Sequence, residues 1–480
     1  MAKRSASKGA PKKKLHAART NQFRISVAGM GYVGLATALC FAQAGNRVYG
    51  IEIDLEKCKT IQGGRSPIHE QGIDSALVEC LRKESFSCSP DLGEAVRNTD
   101  ITFITVGTPS RQDGSIDLRY IESAASEIGR IIREKNDYHL VVVKSTVVPG
   151  TTFGLVKRAL EMSSGKRYPE NFGLCVNPEF LREGTAIEDT RNADALIIGA
   201  EDKRSSEKLL DLYKSFYPTL PYTLITQGAN AEFVKYSVNT FRATQLSFLN
   251  SLANLCEQIP SADIVEVTKG LSAVTKIDQR YLRAGLGYGG SCLPKDVRAL
   301  TATFYNHGIS PLLLQSAAET NQRQPLRVIQ IIERLLGRSV REKKVAILGL
   351  AFKAGTDDVR ESVAISLANA LVLAGASVSV YDPRASTNAA RILLDRVTYS
   401  DSALACITGA DCCVIATEWE EFGKIPASEF KKRMKTPLVI DGRRIIDLES
   451  FEAEGVLVYE IGRHSEHAPR YLEPLPVSTK

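Results

Sequence analysis

No uninterrupted apolar run among the 480 residues is long enough to cross a bilayer, so no membrane is expected as a partner. The first 22 residues, "MAKRSASKGAPKKKLHAARTNQ", lack both acidic residues and an apolar core. Without that core they do not read as a secretory signal. The ten cysteines never stand as Cys-x-x-Cys, and the six histidines do not cluster with them. No zinc or other metal site is therefore expected. Scattered thiols without a secretory signal point to a reducing cytoplasm.

The formal net charge is +6, and the opening stretch alone carries seven lysines and arginines. Beyond it, basic and acidic residues nearly balance. Residues 1–22 read as a solvated, disordered basic tail. Contacts of that tail with RNA or an anionic surface would be nonspecific, and no other nucleic-acid contact is expected.

The body opens with "FRISVAGMGYVGLATALCFAQAGNRVYGIEID". An alternating strand, a glycine turn, a helix from Tyr32 to Ala44 and a second strand make a βαβ unit. Further strands follow in "DITFITVGTP", "HLVVVKSTVVPG", "FGLCVNPEF" and "ADALIIGA". Strands alternating with helices predict a parallel sheet covered on both faces. From about Ala229 the pattern changes: "ANAEFVKYSVNTFRATQLSFLNSLANLCEQI" has no glycine or proline until Pro260. It reads as one helix of nearly thirty residues, of the kind that packs at a domain or subunit boundary. From Lys343 the βαβ alternation resumes. The fold class is α/β, with two Rossmann-like, doubly wound parallel-sheet domains joined by a helical central region.

Gly29-Met-Gly31-Tyr32-Val33-Gly34 matches G-x-G-x-x-G between a strand and a helix. The glycines permit a tight turn, close approach of a pyrophosphate and close helix–strand packing. The phosphates would rest on the helix N-terminus. Two acids compete for the ribose, Glu52 and Asp54. Glu52, at the strand tip, is the choice, and a carboxylate there favours NAD over NADP.

In "GYGGSCLPKD", Cys292 lies just before a helix that Pro294 helps to start. The helix N-terminus and Lys295 would favour its thiolate, and the surrounding glycines leave room for a large substrate. From these residues alone a nucleophile and an inert buried thiol are equally good readings. Lys235 and Asn239 share a helix face at i and i+4, as two donors for an oxyanion or as an exposed lysine beside an asparagine. Glu179 and Glu183 in "NPEFLREG" are again four apart, in a site or as surface charge.

Taken together, "GMGYVGLATA", "VGTP", "KSTVVPGTT", "NPEFLREG", "AEFVKYSVNTF", "YLRAGLGYGGSCLPKD" and "GLAFKAGTDDVRES" resemble the UDP-glucose/GDP-mannose dehydrogenase family over Phe23 to Arg463. The resemblance implies residues 23–227 as an NAD-binding domain and 228–324 as a central helical domain with the catalytic loop and the dimer contact. Residues 325–470 would be a UDP-sugar-binding domain, and 471–480 a tail. It implies Cys292 as nucleophile, with Lys235 and Asn239 flanking the reacting carbon. Asp296 would position water or protons, Glu179 would serve hydrolysis, and Thr146 would lie beside substrate and water. Gly29, Gly31, Tyr32, Val33, Gly34 and Glu52 would hold NAD. So would Lys57, Thr108, Thr146, Glu183, Lys295 and Arg360. The nucleotide sugar would meet Glu179, Phe180, Leu181, Arg182, Lys235 and Asn239. It would also meet Tyr281, Leu282, Arg283, Ala284, Gly285, Gly289 and Lys353. Glu52 stands where the family usually has aspartate.

The implied reaction is the NAD-dependent four-electron oxidation of UDP-glucose to UDP-glucuronate through a cysteine thiohemiacetal and thioester, for polysaccharide synthesis. GDP-mannose is the alternative substrate, and a non-catalytic nucleotide-sugar-binding regulator the alternative class. The "YLRAGLGYGG" loop and the C-terminal "VIDGRRIIDLESFEAEGVLVYEIGR" favour UDP-glucose. A homodimer is expected.

Overall fold

The computed structural model describes residues 22–337 and 339–466. The basic tail expected over residues 1–22, apart from residue 22, and the tail expected at 471–480 lie outside the described residues.

Eight strands form the first sheet: β1 (Arg24–Ala28), β2 (Arg47–Ile51), β3 (Phe86–Ser89), β4 (Ile101–Ile104), β5 (His139–Val143), β6 (Phe172–Val176), β7 (Ala195–Gly199) and β8 (Tyr222–Thr226). Their order is β3-β2-β1-β4-β5-β6-β7-β8. The first six run parallel, and β5, "HLVVV", and β6, "FGLCV", are buried throughout. Such continuous apolar runs suit strands covered by helices on both faces. The last pair departs from the all-parallel expectation. β7 meets β6 antiparallel at Val176–Gly199, and β8 then pairs parallel with β7. A parallel return needs a crossover that spans the sheet. The only helix between β6 and β7 is the six-residue Ala186–Arg191, too short for that, so the chain turns back.

The helix Gly228–Cys256 runs for 29 residues as the sequence predicts. It packs against the helices Leu293–Asn306 and Leu312–Leu336. The last of these contains Pro325 and carries the chain into the second sheet. That sheet comprises β9 (Lys344–Leu348), β10 (Ser377–Tyr381), β11 (Thr398–Tyr399), β12 (Cys412–Ile415), β13 (Leu438–Asp441) and β14 (Leu457–Glu460). It is parallel throughout, in the order β11-β10-β9-β12-β13-β14. Both sheets reverse strand order at a central pair, β1/β4 and β9/β12. Ligand crevices open at the carboxyl ends of such pairs.

The central region is locked to the second sheet by a buried charge. Glu257, fully buried, pairs with Arg327 and accepts hydrogen bonds from Tyr459 Oη at 2.6 Å and Gly462 N at 2.9 Å. An ion pair at this depth holds only with such additional donors in place, because its desolvation cost is several kcal/mol per ion.

Candidate active site

The dinucleotide end lies at the β1/β4 switch. Gly29 has φ +102°, and a Cβ there would meet Thr105 O at 2.9 Å. A Cβ on Gly34 would fall 1.8 Å from Gly29 O, so the helix can approach the strand only as glycine. Space in front of Gly31 is open, and the helix Tyr32–Gln43 begins with no side-chain cap and no acid. Its first N–H groups are thus left for phosphate oxygens, and the residues present fit a dinucleotide. The two acids have different local partners. Asp54 caps the helix Leu55–Gln62 through the N–H groups of Glu56 and Lys57. Glu52 is buried beside the glycine turn and accepts from Met30 N at 3.3 Å and Asp54 N at 3.0 Å. Lys57 is exposed and 3.9 Å from Asp54. Thr108 Oγ1 donates to Thr146 O at 2.9 Å, which ties the loops after β4 and β5 together.

Cys292 is the N-cap of the helix Leu293–Asn306, with Pro294 in the first turn. Its thiol is exposed, whereas the other nine cysteines are buried. Around it, one helix face presents Lys235 and Asn239, both buried, which removes the reading of an exposed lysine. Each donor is matched by a carboxylate. Lys235 Nζ lies 2.8 Å from Glu179 Oε1, and Asn239 Nδ2 donates to Asp296 Oδ2 at 2.6 Å. Lys235 also sits over the Phe180 ring at 5.5 Å, and Leu181 N donates to Glu179 Oε2 at 2.6 Å. Burial pulls the Glu179 carboxyl upward, but Lys235, Leu181 N–H and Lys144 hold it below its usual range. Burial likewise pulls Lys235 down, and Glu179 and Cys292 outweigh it, so its ammonium is held.

The surroundings of Cys292 oppose the thiolate that the helix start favours. Although the residue is exposed, the protein around it raises the Cys292 thiol first by desolvation, and Glu179 adds to the rise, against Lys235 and Ser291. Lys295 is committed to Asp296 at 2.7 Å. The glycines also have a different reason from clearance. A Cβ on Gly289 would lie 2.2 Å from Glu361 O, and one on Gly290, at φ +85°, would strike the Phe352 ring at 2.8 Å. They let the cysteine loop press against the C-terminal domain, where Gly290 N donates to Arg360 O at 2.9 Å.

Glu183 joins the three regions. It accepts from Ser291 Oγ at 2.8 Å and pairs with Arg360 at 3.2 Å, while its backbone carbonyl accepts from Lys353 Nζ. Burial and then Asp358 push its carboxyl up to about 7. Arg182, by contrast, pairs with Asp189 at 2.6 Å. Tyr32 lies close enough to feel Glu183 and Arg360. Beyond this cluster a cleft of about 840 Å³ is lined by Leu282, Arg283 and Ala284 on one side and Trp419, Arg443 and Arg444 on the other. Tyr281 packs under Arg242, 4.8 Å from the ring centre, and Gly285 N donates to Asn250 Oδ1 at 2.8 Å.

Sequence reasoning missed four participants. Ser291 bridges Glu183 and the sulfur, 3.4 Å from Cys292 Sγ. Asp358 holds Arg360. Arg443 lines the cleft, and the buried Lys144 stands behind Glu179. Ser291 and Lys144 were within reach, since they flank the named Cys292 and begin the "KST" motif.

Three profiles of the UDP-glucose/GDP-mannose dehydrogenase family match the chain. The NAD binding domain covers residues 23–217, the central domain 229–323 and the UDP binding domain 346–448. UDP-glucose 6-dehydrogenase AglM of Haloferax volcanii is 40% identical over 424 residues, which is 88% of this chain and 97% of that one. The structure of a UDP-glucose dehydrogenase from Pyrobaculum islandicum is similar with a TM-score of 0.85 at 38% identity, covering 95% of this chain and 100% of that one. That of a UDP-D-ManNAc dehydrogenase from Pyrococcus horikoshii gives 0.80 at 30% identity, covering 92% and 99%. A chain with a dinucleotide turn, a thiol ringed by buried donor–carboxylate pairs and these relatives along its length belongs to the UDP-glucose/GDP-mannose dehydrogenase family and is an NAD-dependent oxidoreductase.

Proposed function

We propose that the chain oxidises UDP-glucose to UDP-glucuronate in two successive steps at one carbon, with Cys292 carrying the intermediate. The observation that carries this reading is the exposed Cys292 thiol beside the pairs Lys235–Glu179 and Asn239–Asp296. NAD supplies the hydride acceptor for both oxidations. Lys235 and Asn239 donate to the substrate oxygen, where alkoxide-like charge develops in each step. The Cys292 sulfur bonds to the aldehyde carbon while its proton passes to the aldehyde oxygen. The resulting thiohemiacetal keeps the aldehyde from leaving. The second oxidation leaves a thioester. Glu179 takes a proton from water as the water attacks, the C–S bond breaks, and the sulfur regains a proton. Asp296 orients Asn239 and the water.

Glu52 serves the ribose, and Gly29, Gly31, Tyr32, Val33 and Gly34 the pyrophosphate. Thr108, Thr146, Glu183, Lys295, Arg360 and Lys57 surround the rest of the cofactor. The nucleotide sugar lies between Phe180–Arg182, the Tyr281–Gly285 stretch, Gly289 and Lys353. The domains divide at 227/228 and 324/325, the second division falling within the helix Leu312–Leu336. The ten free thiols support a reducing cytoplasm.

UDP-glucose is favoured over GDP-mannose by the loop and C-terminal segments that flank the 840 Å³ cleft. Assayed with NAD, UDP-glucose should exceed both GDP-mannose and UDP-ManNAc in kcat/KM by roughly tenfold or more. Preferred turnover of either competitor contradicts the assignment.

The long helix supports a homodimer. Phe233, Phe241, Phe248 and Leu255 recur on one stripe with 48%, 63%, 55% and 54% of their surface exposed. Large apolar side chains in such a row are covered in stable proteins. Light scattering should give roughly twice 52.4 kDa, and Phe241→Arg should yield monomers. A wild-type monomer at micromolar concentration contradicts the dimer.

A further inference from the structure

We propose that Lys144 is a positioning residue that keeps Glu179 ionised as the base for product release while Lys235 is engaged with the substrate oxygen. This rests on the reading of Cys292 and Glu179 given above. Lys144 follows β5 and is buried, as are Glu179 and Lys235. Its Nζ lies 2.9 Å from Asn177 Oδ1, and Asn177 opens the loop that reaches Glu179 two residues later. Tyr213 Oη also donates to Asn177 Oδ1, and Asn177 Nδ2 donates to Ile197 O at 2.9 Å. Lys235 touches Glu179, and Lys144, held on the same loop through Asn177, stands within electrostatic reach of it.

The arithmetic of charge gives the second cation a purpose. Lys235 makes the only ion pair of Glu179 among the described residues, yet the same ammonium is the donor needed at the substrate oxygen. Were it the sole compensation, each shift of Lys235 toward substrate would leave Glu179 a lone buried carboxylate, which takes up a proton. A protonated Glu179 cannot accept the proton of attacking water. Lys144, held on Asn177, keeps a positive charge in place throughout. Burial lowers Lys144 to about 8, with Lys235 pushing the same way and Glu179 opposing, so it is largely charged at neutral pH. The groups within electrostatic reach of Glu179 are Lys235 from the long helix, Lys144 from the residue after β5 and Cys292 from the catalytic loop. Asp296 faces Lys235 and Cys292 from the next helix, and Tyr213 meets the cluster only through Asn177.

Removing Lys144 should raise the Glu179 carboxyl. The acid limb of thioester breakdown then moves to higher pH by about one unit, the size of effect one nearby charge exerts. The test uses Lys144→Met and Lys144→Gln in single turnover with UDP-glucose and NAD. NADH formation and acid release are followed separately, intact mass reports the enzyme adduct, and thermal unfolding controls for the fold. Both variants should form NADH and accumulate the Cys292 adduct, with acid release up to about tenfold slower than wild type on the acid limb and recovering above it. Melting temperature should not fall, because a buried lysine is costly and Tyr213 still holds Asn177. Acid release slowed equally at every pH, an unshifted acid limb, or loss of the fold in both variants makes Lys144 merely structural and overturns the proposal. Failure of wild type to form NADH or the adduct would instead overturn the underlying reading.

Discussion

Replacing Cys292 by alanine should cut formation of the acid by about 10³-fold or more, the scale on which loss of a covalent nucleophile is felt. The thiol is the one exposed cysteine of ten and caps a helix against the C-terminal domain, so the change removes a sulfur without opening a core cavity. The donors that stabilise charge on the substrate oxygen remain, since Lys235 and Asn239 are anchored by Glu179 and Asp296 independently of the sulfur. The first oxidation therefore survives in part, and the aldehyde is no longer held. Cys292→Ser is the more telling variant. Its hydroxyl can add to the aldehyde, but the serine alkoxide leaves the resulting ester less readily than a thiolate leaves a thioester, so turnover stalls before acid release and intact mass finds the trapped adduct. Near-normal production of acid by Cys292→Ala, measured by quantifying product, would remove the covalent scheme.

Replacing Lys235 by methionine should lower kcat by on the order of 10²–10³-fold, the usual cost of one preorganised donor at a developing oxyanion. The ammonium is buried and held on Glu179 at 2.8 Å on an unbroken helix, so a short shift brings it to the substrate oxygen. The same removal takes the ion-pair partner from a buried carboxylate and leaves only the more distant Lys144, a cost approaching the about 3–5 kcal/mol seen when one partner of a buried pair is lost. Activity and stability must therefore be separated. The double change Lys235→Met with Glu179→Gln removes the stranded charge and should recover most of the lost melting temperature. It should recover none of the kcat, because both the donor and the hydrolytic base are gone. Recovery of kcat together with stability would show that Lys235 acts only through folding.

Much of the fold is legible in the residues because its signals are local. "GMGYVG" between a strand and a helix, and a long stretch without glycine or proline, each specify geometry over a few turns, and the structure has both. The reversal at β7 is not local. It depends on how far a short helix can carry the chain, which the apolar strand "ALIIG" does not reveal. The site divides in the same way. Cys292 at a helix start and the i, i+4 pair Lys235 and Asn239 follow from spacing alone. Their partners Glu179 and Asp296 lie 56 and 57 residues away, and only the fold brings them together. The surroundings that oppose ionisation of Cys292 are not local either, because a helix start is seen in sequence and the packing and the Glu179 carboxylate around the sulfur are not. Gly289 and Gly290 look like clearance until the C-terminal loop at Phe352 and Glu361 is seen against them.

The central claim is that one site carries out two oxidations at one carbon without releasing the aldehyde. The direct measurement is the ratio of NADH formed to UDP-glucose consumed in a reaction run to completion, with the products identified by mass. Two NADH per sugar, UDP-glucuronate as product and no free aldehyde are the predicted result. One NADH per sugar, with the aldehyde free in solution, would contradict it.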